Sequence, residues 1–191
     1  MTEVDGTKII PDLSVRLIDY VRAKLLQRIK KNPEPDWKYK NGDVYEFGDA
    51  ENGYIVLVSE DQVDYFVRIK RVSHNRLRLG RQVLLWRNRN SDAAAGFAQR
   101  VFFTRLLPRY GALIADKEQT KSGSQFWQNA VESALGRGLY VYFLDRRSRN
   151  TKLVPIRDLG DLQEHHEALW GTARQHLLTF AVISQQELEL K

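Results

Sequence analysis

A chain of 191 residues, 42% hydrophobic and 28% charged, can bury the core of one domain with a small appendage at most. The absence of cysteine excludes disulfides and thiolate metal sites, and no apolar run reaches the length of a membrane span; the longest without charge covers residues 177–183. A net charge of +6 and a pI near 9.5 favour anionic partners, and the start MTEVDGTKIIPDL lacks the pattern of a secretory signal, so a cytoplasmic setting without a membrane partner is expected.

Residues 14–31 carry Val15, Leu17, Ile18, Val21, Leu25 and Ile29 at helical spacing, with Arg16, Arg22, Lys24, Arg28, Lys30 and Lys31 filling much of the remainder. Its last cations suit the helix dipole. The prolines of NPEPDW then stop the helix, which predicts a basic N-terminal helix and linker over 1–40 and the main domain over 41–191. Four strands follow, over 43–48, 53–60, 62–72 and 76–88, with turns at SEDQ and SHN. Alternation in the third places Val63, Tyr65, Val67 and Ile69 on one face, and Asp64, Phe66, Arg68 and Lys70 on the other.

Residues 97–110 read as a helix that points Phe97, Val101, Phe103, Leu106, Leu107 and Tyr110 at a sheet and ends at Pro108 and Gly111. A short buried strand at 112–116, a helix at 124–138, a strand at 139–145, a helix at 161–171 and a strand at 176–184 complete the order. The expected fold is α/β with α+β layering: a mixed, mostly antiparallel sheet flanked by helices, with an extra N-terminal helix.

The stretch NSDAAAGFAQR, residues 90–100, pares its side chains back where a helix begins. The first turn of a helix has unpaired N–H groups and partial positive charge, and small residues let a phosphate reach them. Gly96, Phe97 and Ala98 would form that contact, with Arg100 adding a charge. The element order from 53 to 145, together with Gly96 and Ala98 at the end of Ala93-Ala94-Ala95-Gly96-Phe97-Ala98, resembles the GNAT superfamily of Gcn5-related N-acetyltransferases and its [Q/R]-x-x-G-x-[G/A] motif. Ala93 stands where that motif has Arg or Gln.

The resemblance implies an acetyl-CoA or other acyl-CoA cofactor, an amine-bearing substrate and N-acyl transfer. It also implies a tyrosine that protonates the departing thiolate, but the aligned position is Ala134, with Trp127 on the family asparagine and Ala130 on its alanine. Whether the chain is an enzyme is therefore left open. Tyr140 and Tyr142 on the next strand and Asp116 after the short strand are the remaining catalytic candidates. Divergent relatives encoded by phages and mobile elements fit such a departure.

An alternative reading is a non-catalytic scaffold of the same kind that binds nucleic acid or an acidic protein. Arg68, Lys70, Arg76 and Arg78 would form a cationic stripe, with Phe66 and Trp86 as stacking surfaces beside it. No metal site is expected, because His165 and His166 are adjacent on a helix and point about 100° apart.

Overall fold

The structure, a computed structural model, describes residues 15–49, 51–74, 77–88, 90–116, 119, 121–147, 151–171 and 178–189. Arg76, Thr120, His176 and the end of the charged loop at 148–150 lie outside them, as does part of the turn expected at SHN. The helices are α1 (Val15–Lys31), α2 (Phe97–Val101), a π-helical turn (Phe102–Leu106), α3 (Leu107–Tyr110), α4 (Lys121–Gly136) and α5 (Leu159–Trp170). The strands are β1 (Trp37–Tyr39), β2 (Gly42–Gly48), β3 (Asn52–Ser59), β4 (Gln62–His74), β5 (Leu77–Arg87), β6 (Ala112–Ile114), β7 (Tyr140–Asp145), β8 (Lys152–Ile156) and β9 (Thr179–Ser184). Among the described residues the strand order is β1-β2-β3-β4-β5-β6-β9-β7-β8. β5 pairs with β6 in parallel, whereas β1–β2, β2–β3, β3–β4, β6–β9, β7–β8 and β7–β9 pair antiparallel, so the sheet is mixed and mostly antiparallel, as the sequence predicts.

The chain divides into two compact units. The first to be described joins residues 13–71 to 82–109. Its strands β1 to β4 pair in register so that Trp37, Val44, Leu57 and Tyr65 share one face. Phe97 is fully buried on that face, 5.6 Å from the Trp37 ring, 4.9 Å from Tyr39 and 5.0 Å from Tyr65. The opposite face is closed by α1, whose Ile18, Leu25 and Ile29 pack into one cluster with Tyr45, Phe47, Val56, Val63 and Phe66.

Val63 belongs to that α1 face, not to the Tyr65 face that strict alternation assigns it. The cause is a β-bulge: Val58 pairs with Val63 and Leu57 with Tyr65, which leaves Asp64 as the extra residue. The bulge also explains how a carboxylate is buried there. Asp64 accepts hydrogen bonds from the Ser59 hydroxyl and from Asn88 Nδ2, and its carbonyl accepts from the Asn88 amide at 2.7 Å. Phe66 is likewise fully buried, stacked 5.9 Å from Trp86 under α1, so it is core and not an exposed platform for bases.

Among the described residues the second unit comprises those of 72–81 and 110–189. Its sheet runs β5-β6-β9-β7-β8, with Gly80 paired to Leu113 and Arg81 to Ile114. α4 and α5 pack on β7 and β9, and His165 of α5 stacks on Phe143 at 4.5 Å. Leu79, Ala112, Ile114, Tyr142, Leu144, Phe180 and Val182 cluster on the other face, where Leu188 packs against them. Gly80 is required by close approach: a Cβ there would lie 2.6 Å from Tyr110 Cγ and 2.7 Å from Leu113 Cδ2. β8, at the end of the order, holds Pro155 opposite Tyr142.

Several boundaries differ from those read off the sequence. β1 and β8 were not expected as strands, α4 begins at Lys121, three residues before the expected start, and β9 begins at Thr179. The helix after Gly96 contains a π-helical turn that buries Phe102 as well as Phe103. Pro108 lies four residues after Thr104 and has no N–H to give its carbonyl, which favours such a widened turn.

Candidate functional site

Gly96 directly precedes α2 with φ +75°, a left-handed conformation that favours glycine, and it is exposed. The Phe97 amide donates to the Ala94 carbonyl at 3.3 Å, and the Arg100 amide closes the first helical bond to Gly96 at 3.1 Å. Ala93 and Ala94 are buried, whereas Ala95, Gly96 and Arg100 are exposed and Ala98 is half-buried.

The turn between β1 and β2 reaches this backbone from the side. The Tyr39 hydroxyl donates to the Ala95 carbonyl at 3.0 Å, and a Cβ on Gly96 would meet that hydroxyl at 3.4 Å. Lys40, itself at φ +52°, donates from Nζ to the carbonyls of Asp92 at 2.9 Å and Ala95 at 3.1 Å. The Lys40 ammonium and the Arg100 guanidinium each lie 5.6 Å from the centre of the Tyr39 ring. Two cations are thus gathered on one aromatic ring beside the exposed backbone of Ala95 and Gly96.

Sequence reasoning found Gly96 and Arg100 but missed Tyr39 and Lys40. The available signal was the alternation in Trp-Lys-Tyr followed by Lys-Asn-Gly, which pairs β1 with β2 through a two-residue turn. Further along the same helical run, Arg105 and Arg109 lie 3.9 and 3.6 Å from the Glu46 carboxylate, and Trp37 Nε1 donates to it at 3.1 Å. Those two arginines are structural ties.

A polar cavity of about 290 Å³ is lined by Asn41, Ser59, Asp64, Asn88, Asn90 and Asp92 among others, and its carboxylates disfavour phosphate.

The catalytic candidates belong to the second unit. Register places Tyr142 opposite Val182 and Val182 opposite Ile114, so Tyr140 and Tyr142 share a face of the sheet with Ile114, and Asp116 follows two residues past the end of β6. Tyr142 is buried, and its hydroxyl accepts a hydrogen bond from the Leu188 amide at 2.9 Å. Burial pushes its phenol above the usual value, partly offset by that bond. Tyr140 is 44% exposed, which leaves its hydroxyl open to solvent. Asp116 lies 4.0 Å from Arg81 Nη1, and the Arg81 guanidinium sits 5.7 Å from the Phe180 ring centre. Burial lowers the Arg81 pKa, and the Asp116 charge acts against that shift. Ala134 is fully buried within α4.

The expected cationic stripe is partly tied down. Arg68 Nε donates to Asn52 Oδ1 at 3.2 Å and its guanidinium covers Tyr54, while Lys70 is exposed on the same face. Arg78 is exposed on β5 in the second unit. His165 and His166 meet different rings, Phe143 and Trp170. No helix among the described residues is long and apolar enough to cross a membrane. Comparison with protein-family models, curated proteins and solved structures finds no match for the chain.

Proposed function

We propose that the protein is a divergent GNAT-like N-acyltransferase that receives the pyrophosphate of an acyl-CoA at Gly96–Ala98 and Arg100. The observation that carries this reading is the pair of cations, Lys40 and Arg100, held on the Tyr39 ring beside the exposed, left-handed Gly96. Its support includes the order β3, β4, β5, helical run, β6, α4, β7, which is the order that the family resemblance implies for residues 53–145.

The amine of the substrate attacks the thioester carbonyl, a C–N bond forms and the C–S bond breaks. CoA leaves as a thiolate, and the amine proton passes to solvent or to a nearby base. The buried methyl of Ala134 supplies no acid, so the rate depends on holding amine and thioester together. Tyr140, with its exposed hydroxyl, is better suited to proton transfer than Tyr142, whose hydroxyl is engaged by Leu188.

Calorimetric titration with acetyl-CoA, with acetyl-pantetheine as the control lacking pyrophosphate, tests the reading. Acetyl-CoA should bind, and Arg100→Glu should weaken it about tenfold, as expected for losing a charge-assisted contact and adding repulsion. No heat from acetyl-CoA at high micromolar concentration, or equal binding of the two ligands, overturns it. The alternative, a scaffold without turnover, draws on Ala134 and is met by finding acetyl-CoA binding with no release of free thiol across a panel of amines.

A further inference from the structure

A dense concentration of positive charge is on α1, and the packing of that helix settles which side carries it. α1 has six basic side chains against Asp19 alone, close to the whole net charge of +6. Its apolar stripe, Ile18, Leu25 and Ile29, is consumed by the β2–β4 core. At about 100° per residue, Arg16, Tyr20, Ala23, Gln27 and Lys31 run down the middle of the opposite side. Lys24 and Arg28 flank that line on one side and Lys30 on the other, and all eight residues are exposed. Lys24 Nζ lies 5.4 Å from the Tyr20 ring centre, and Tyr20 itself is 61% exposed.

Helix stability does not account for this arrangement. The dipole favours the three cations of the last turn, but the first turn has no acid and contains Arg16, the reverse of what the dipole rewards. Arg16, Lys24, Lys30 and Lys31 have no carboxylate within ion-pair distance among the described residues. Arg22 is different, since it bridges to Asp19 at 3.5 Å and covers Trp86.

We infer that the outer face of α1 docks on the phosphate backbone of duplex DNA, with the helix in the major groove. The argument is charge and shape together. A helix about 10–12 Å across and about 25 Å long fits a groove about 12 Å wide, and lysines and arginines beyond its midline reach the phosphates. The deep, narrow major groove of an RNA duplex does not admit it. A lipid surface is disfavoured because the apolar stripe that would enter it is already buried, leaving Leu17 and Tyr20 alone. The inference does not depend on acyl transfer, because none of these residues belongs to the Gly96 site.

Fluorescence anisotropy of the full chain with a labelled 20-base-pair DNA, over a salt series from 50 mM, tests it. The variant is Arg16→Gln/Lys24→Gln/Lys31→Gln; the control is Lys152→Gln/Arg157→Gln, two exposed cations of the other unit. The expected result is salt-dependent binding that falls at least about tenfold in the triple variant, with the slope of log affinity against log salt flattened by about 2.7. The control should bind like the parent, and circular dichroism should show all three chains folded. No binding to DNA at 50 mM salt overturns the inference. So does equal loss in the control, equal affinity for an RNA duplex, or tighter binding to polyglutamate or to anionic vesicles.

Discussion

The two units use a sheet in different ways. Around β2–β4 both faces are covered, one by α1 and the other by the helical run that starts at Phe97, and both faces are built almost wholly of apolar side chains. Around β6, β9 and β7 the helices α4 and α5 take one side, while on the other Val72, Leu77, Leu153 and Leu188 pack against the cluster that holds Tyr142, and Asp116 lies beside Arg81. The first unit buries its titratable Tyr45, Tyr65 and Asp64, whereas the second keeps Tyr140 exposed and Asp116 half-buried.

Removing the ring on which the first unit closes is the hardest test of that contrast. Phe97→Ala should cost about 3–5 kcal/mol in denaturant unfolding, because the ring is fully buried among three aromatics. A loss under about 1 kcal/mol would mean that the Phe97 face is not a core at all.

Next comes Gly80→Ala, which forces a methyl against Tyr110 and Leu113 in the second unit. Overpacking should cost about 1–3 kcal/mol, read from the urea midpoint. A neutral result would show that this unit yields where the first does not.

A smaller effect is expected on the face with titratable groups. Tyr142→Phe keeps the ring and loses the hydrogen bond from Leu188, worth about 1 kcal/mol. Because burial raises the Tyr142 pKa in the folded chain, the parent should lose stability as pH rises above about 10, the unfolded value. The variant should lose only the Tyr142 share of that alkaline limb in thermal melts at successive pH values, because burial also raises Tyr45 and Tyr65, and an unchanged limb would show that Tyr142 contributes nothing to it.

Smallest of all is the exposed fork at the end of β7. Arg147 donates to both oxygens of Asp145, at 2.9 and 2.7 Å, and holds that carboxyl below its usual range. A depressed folded pKa gives stability present above about 3.9 and lost as pH falls through the folded value. Arg147→Ala should raise the Asp145 pKa toward about 3.9 by NMR titration. It should cost under about 1 kcal/mol near neutrality, since the pair is partly exposed.

Much of this architecture is legible in the sequence where one element decides it. The α1 periodicity, the glutamate–aspartate turn between β3 and β4 and the glycine opening the Phe97 helix are local signals, and the structure has each in place. Less legible are features that depend on a partner. β1 is three residues between a proline-rich linker and a turn, marked in the sequence only by Trp-Lys-Tyr before Lys-Asn-Gly, and its Trp37 and Tyr39 pack on Phe97. Pro155 makes β8 read as a break, although a terminal strand tolerates proline. The Asp64 bulge moves Val63 to the other face with no change in composition. At the candidate site the same division holds: Gly96 and Arg100 are neighbours in sequence, whereas Lys40 arrives only through tertiary folding.

Among the described residues the two ends of the strand order are a three-residue β1 and a proline-bearing β8. Neither offers a long row of free backbone donors and acceptors on which another copy could template itself. Lateral growth into fibrils is therefore disfavoured at these two margins.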